Sequence, residues 1–143
     1  MRNSAPVRDW RRLDELTAGV DLLAQLRRHR FRRLDMIVPD GYQLLWFDMF
    51  PQAGALALVR HDSPAWICRW RLHGRQAVIT DWRAFWYRHQ SELAELPLAA
   101  ICCLADHYLV SWAAPNGGHF WQRCLREARA RGLAVRDGVI GRI

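Results

Sequence analysis

The chain has 143 residues, a formal net charge of +7 and a pI near 10.2; 51% of it is hydrophobic, and eight residues are tryptophan. That length and apolar content suit one globular domain that folds without disulfide or metal, and they exclude a disordered chain. No run approaches the roughly 20 apolar residues that span a bilayer, and all 21 Lys/Arg positions are arginine, so each of these cations is a planar guanidinium suited to phosphate, carboxylate and aromatic partners.

Nothing behind Met1 to Ala5 reads as an apolar leader. A cytoplasmic location without membrane insertion is therefore expected, with residues 1–8 as a flexible arm on a single domain spanning 1–143. The absence of lysine has three explanations: GC-rich coding, selection for anion contact, and avoidance of lysine-directed modification. Cys68, Cys102, Cys103 and Cys124 lack CxxC spacing and read as buried thiols of a reducing compartment.

Asp9 to Phe31 reads as helical, because Leu13, Leu16, Val20, Leu23 and Leu26 recur every three or four residues. Gly19 interrupts the pattern at a cost of about 1 kcal/mol. Arg27, Arg28, His29, Arg30, Arg32 and Arg33 then read as a helix end favoured by the macrodipole.

From Leu34 to Thr80 the apolar period becomes two. Turn signals at Pro39-Asp40-Gly41, Pro51 to Gly54, His61 to Pro64 and His73 to Arg75 separate five strands: 34–38, 42–50, 55–60, 65–72 and 76–80. Short connections favour antiparallel neighbours. In the fourth strand Trp66, Cys68, Trp70 and Leu72 share one face, predicted to meet the core, and Ile67, Arg69, Arg71 and His73 share the other.

Thr80 or Asp81 is expected to cap a helix to about Leu96, with Trp82, Phe85, Trp86, His89, Leu93 and Leu96 as its apolar stripe and Pro97 as its stop. The apolar stretch Leu98 to Ala113 admits two buried strands, or a short helix followed by a strand. Pro115 to Gly118 reads as a loop before a helix from His119 to Arg131, with Phe120, Trp121, Cys124, Leu125 and Ala128 inward. Gly132 stops it, and Leu133 to Ile140 returns as a last strand. The expected fold is thus α+β: an antiparallel meander of about five strands packed against two or three amphipathic helices as a single pair of layers.

Arginine placement is the main chemical signal. Arg123, Arg126 and Arg129 lie on or beside one stripe of the last helix, and Arg69 and Arg71 lie on the outer face of the fourth strand. Guanidinium groups fork onto phosphate oxygens or stack on bases, so these five are the expected contacts for an anionic partner, DNA or RNA first. Glu127, four residues from Arg123 and Arg131, neutralises part of the helix face.

Two other chemistries fit less well. Cys102, Cys103, His107, His119 and Cys124 contain the residue types of a zinc site, but adjacent cysteines on a strand point to opposite faces and the spacing matches no common finger. Neither a metal nor a cofactor is expected. A cysteine hydrolase would pair Cys102 or Cys103 with His107 or His119, oriented by Asp106 or Asn116. That chemistry needs an exposed, activated thiolate, whereas both cysteines sit in the most apolar stretch. The chain has no GxGxxG and no phosphate-loop lysine.

Locally, Leu23 to Phe50, with its basic segment, Pro39-Asp40-Gly41 and aromatic strand, resembles part of the type VI secretion adaptor family. The ending expected there is replaced by Trp46, Phe47, Asp48, Met49 and Phe50, so no functional residue carries over. The reading is a non-enzymatic regulatory protein that engages nucleic acid. The alternative is a protein-interaction module, such as an adaptor, secretion chaperone or toxin-neutralising protein, that anchors an acidic protein through tryptophan and arginine. Edge strands of a meander also allow two copies to pair.

Overall fold

The computed structural model describes residues 17–36, 38, 40–85, 96–113 and 118–142. Helix α1 covers 17–26. It buries Leu23 and Leu26, spaced three apart, against Leu45, Phe47, Ala55, Ala57, Val59, Ile67 and Phe85. At Gly19 the helix lies close to its neighbours: a Cβ there would meet the Phe85 ring at 2.9 Å and the Pro64 ring at 3.0 Å. The helix-propensity cost of glycine is thereby offset by close packing.

The meander follows as β1 (Arg30–Arg33), β2 (Gln43–Met49), β3 (Ala53–Arg60), β4 (Ser63–His73) and β5 (Gln76–Ala84), each antiparallel to the one before. Arg27, Arg28 and His29 do end α1, their N–H groups donating back to Leu23, Gln25 and Leu26. The first strand, however, is not 34–38 but Arg30–Arg33, which corrects the helical reading of those residues. Cross-strand contact accounts for this: Phe31 faces Phe47 with ring centroids 5.4 Å apart, and the Arg32 guanidinium lies 5.2 Å from the Trp46 ring centroid. Residues 1–16, including the expected arm, lie outside the described residues.

β5 also corrects the expectation of a helix from residue 81, since the strand continues to Ala84. Its register against β4 shifts by one between Arg69 and Trp70, and this bulge moves Trp82 onto the face of Ala77 and Ile79. Trp82 and Phe85, expected to share one helical stripe, therefore lie on opposite faces of the sheet. Residues 86–95, with Trp86, His89 and Leu93, lie outside the described residues.

Helix α2 (Leu96–Leu104) and β6 (Leu109–Trp112) decide the ambiguous apolar stretch in favour of helix then strand. Pro97 is the second residue of α2 rather than a stop, because a proline's fixed φ and missing N–H suit a first helical turn. β6 lies parallel to β5, an arrangement that requires a crossover such as α2.

Helix α3 (Gly118–Ala130) agrees with the predicted last helix within a residue at each end. The final segment is two short strands, β7 (Ala134–Arg136) and β8 (Val139–Gly141), rather than one. Asp137 and Gly138 turn between them at φ 53° and 76°, the left-handed pair of a two-residue hairpin.

The eight strands form one sheet in the order β1-β2-β3-β4-β5-β6-β8-β7. Its first face carries Trp46, Trp66, Cys68, Trp70 and Ile79 against Ala100, Ile101 and Leu104 of α2 and Trp121, Cys124 and Leu125 of α3. The tryptophan face of β4 therefore meets the core, as predicted. α1 covers part of the other face, so the expected single pair of layers is corrected: helices pack on both sides.

Candidate functional site

The five arginines expected to act together are divided by the sheet. Arg69 and Arg71 project from β4 on the same side as Ile67, toward the α1 layer, while α3 packs on the opposite side. Arg123, Arg126 and Arg129 are exposed on the outer side of α3. Arg69 is half-buried and donates from Nη2 to Asp81 Oδ2 at 2.9 Å, so Asp81 already neutralises it. Arg71 is exposed opposite Ala53 and Val78. On α3, Glu127 accepts from Arg131 at 3.1 Å.

A denser cationic cluster lies at β1. Five of seven consecutive residues from Arg27 to Arg33 are arginine, and all four residues of the edge strand are exposed, Phe31 at 45%. Strand alternation sends Arg30 and Arg32 to the α2 side, and Phe31 and Arg33 to the α1 side. Arg27 donates to Asp62 Oδ1 at 2.6 Å. Among the described residues, no carboxylate forms an ion pair with Arg28, Arg30, Arg32 or Arg33.

A groove of about 960 Å³ adjoins this cluster where the β1–β2 connection passes the β3–β4 turn. Leu34, Met36, Val38, Tyr42 and Leu44 supply its apolar wall, and Arg33, Asp35, Gln43, His61 and Asp62 its polar boundary. The chain turns here through Gly41 at φ 84° and His61 at φ 55°. Arg60 extends over the Tyr42 ring, 5.9 Å from its centroid. Arg33 of β1 thus lines the groove, and Arg60, at the end of β3, lies beside its Tyr42 wall.

A smaller cavity of about 230 Å³ is lined by Arg75, Asp106, His107, Tyr108 and Arg142. Here Arg142 pairs with Asp106, just past the C-terminus of α2, where the helix dipole favours cations. His107 closes edge-on over Trp46, with centroids 5.4 Å apart. The ion pair fastens the residue after β8 to the turn that follows α2.

All four cysteines are free, and burial is the first cause raising each thiol above its ordinary pKa. Cys124 is pushed up to about 12, with Cys102 as the next cause. Around Cys103 the cations Arg32 and Arg142 act in the lowering direction but do not overcome burial and the Asp106 charge. None is thereby activated as a nucleophile. No group of three or more His, Cys, Asp or Glu among the described residues is placed to hold a metal.

Among the described residues no helix is long and apolar enough to cross a membrane. No family model, curated protein or solved structure matches the chain. The local likeness of 23–50 to secretion adaptors therefore finds no support in these comparisons, and the functional reading rests on the chemistry of the surface. Sequence reasoning passed over the β1 cluster by assigning it to a helix end. Its weak sequence signal is the single Phe31 between arginines; the pairing of Phe31 with Phe47 and of Arg32 with Trp46 is visible only in the sheet.

Proposed function

We propose that the protein is a non-enzymatic regulatory protein that binds nucleic acid through the arginine-bearing edge at β1. The observation that carries this reading is the exposed cluster of Arg28, Arg30, Arg32 and Arg33, without ion-paired carboxylates among the described residues. Guanidinium groups left in water at low cost are available to displace counterions from phosphates, and that displacement drives non-specific nucleic-acid affinity. Arg123, Arg126 and Arg129 on α3 are proposed as a separate, secondary basic face; Arg69 is a minor contributor because Asp81 already offsets it, and Arg71 adds one exposed cation on the α1 side of the sheet.

The test is binding of a fluorescent oligonucleotide between about 50 and about 300 mM salt. Affinity is expected to fall steeply with salt, and Arg30→Ala/Arg33→Ala is expected to flatten the dependence by about 0.7 per lost phosphate contact for a single strand. Absence of binding at the lowest salt rejects the proposal.

The second reading, an acidic protein partner, is favoured by a different feature. Phe50 is 94% exposed at the β2–β3 turn, and phenylalanine is among the aromatic residues enriched at protein interfaces. A complex that survives moderate salt and is lost in Phe50→Ala would select this reading.

A further inference from the structure

Resting on that reading of the basic edge, we propose that the groove beside β1 receives an unstacked base of a single-stranded nucleic acid, whose neighbouring phosphates contact Arg33 and Arg60. The argument begins with continuity. Arg33 belongs both to the exposed edge strand and to the boundary of the groove, so a backbone held along β1 is carried to its mouth.

Arg60 supplies the second cation. Its guanidinium lies over Tyr42, and its Nε is 3.6 Å from where a Gly41 Cβ would stand. Tyr42 and Gly41 are themselves groove residues. A strand reaching the groove along β1 therefore meets Arg33 in its lining and Arg60 beside Tyr42, with the apolar wall next to both.

That wall suits a base rather than a phosphate. Leu34, Met36, Val38 and Tyr42 are partly buried and pack on the main core, which leaves their remaining surface to cover a planar, weakly hydrated ring. Asp35, Gln43 and His61 on the boundary present hydrogen-bond acceptors and donors to the ring edge. A duplex keeps its bases stacked and offers phosphates alone, so occupancy of the groove distinguishes single from double strands.

The experiment measures fluorescence anisotropy with four probes of similar length: a single-stranded oligonucleotide of about 12 nucleotides, its duplex, an abasic strand of the same backbone, and inorganic polyphosphate. The expected result is single-strand binding tighter than abasic or duplex binding by about tenfold. Tyr42→Ala should remove that advantage and Tyr42→Phe retain it, with thermal melting confirming that both variants fold. Because the abasic probe uses the unaltered protein, the comparison stands even if Tyr42→Ala fails to fold. Equal binding of all four anions overturns the groove assignment while leaving the basic edge intact. Failure of every probe to bind overturns the basic-edge reading and this one with it.

Discussion

Trp70 is buried on the first face of the sheet, edge-on to Trp46 with centroids 5.1 Å apart, and its indole covers Gly54 of the neighbouring strand. A side chain at 54 would fall inside the van der Waals envelope of that indole. Gly54→Ala is therefore expected to lower stability by about 1–3 kcal/mol, the usual cost of overpacking, read as a lower urea midpoint with little change in slope. Buried indole N–H groups are treated unequally. Trp46 donates to Asp48 and Trp121 to the Gly138 carbonyl, both at 3.0 Å, whereas the N–H of Trp66 has no acceptor among the described residues. Trp66 instead stacks on Trp82 at 5.0 Å.

The residue scale also sets a pH response. Cys124 keeps its proton up to about 12 in the folded protein, above the ordinary thiol value of 9.0. Between those values the unfolded chain binds fewer protons than the folded one, so stability falls as pH rises. This contribution is complete below pH 9.0 and is lost by about 12. Tm measured across that range should decline, and less steeply in Cys124→Ala after allowance for the smaller side chain.

At the scale of elements, the turn signals and the alternation within β4 were legible. β2, β3 and β4 follow their turn signals, and the inward face of β4 is the one its tryptophans predict. β5 was read as a strand from Gln76 to Thr80 but not on to Ala84, because the spacing of Trp82 and Phe85 imitates a helical stripe although the two face opposite sides of the sheet. β1 was misread because four exposed side chains leave no apolar period. The β7–β8 hairpin carried a usable signal in Asp137-Gly138, outweighed by the apolar residues flanking it. Trp121 fastens this hairpin to α3 through the Gly138 carbonyl. Trp121→Phe should cost about 1 kcal/mol for the lost hydrogen bond, beyond the effect of the smaller ring. Local hydrogen exchange should show the loss first in β7 and β8.

For the molecule as a whole, a net charge of +7 makes association with any polyanion sensitive to salt, but the distribution of that charge decides where association occurs. The basic groups occupy separate faces. Arg28→Ala/Arg30→Ala should therefore weaken oligonucleotide binding several-fold, whereas Arg126→Ala/Arg129→Ala should have a smaller effect, each measured at one low salt concentration. Comparable losses from both pairs would show that the ligand uses both faces and would displace β1 as the principal site.

By itself the sequence determined the α+β class, the antiparallel meander, the inward tryptophan face and the cationic character, because periodicity and charge are local properties carried by side chains. The parallel strand after α2, the second core beneath α1 and the partition of the arginines were decided by tertiary structure. Each depends on contacts between segments distant in the chain: Val110 beside Ala77, Phe85 beneath Gly19, and α3 on the side of the sheet opposite Arg69 and Arg71. Local periodicity places a residue on a face of its own element; only packing determines which faces share a surface.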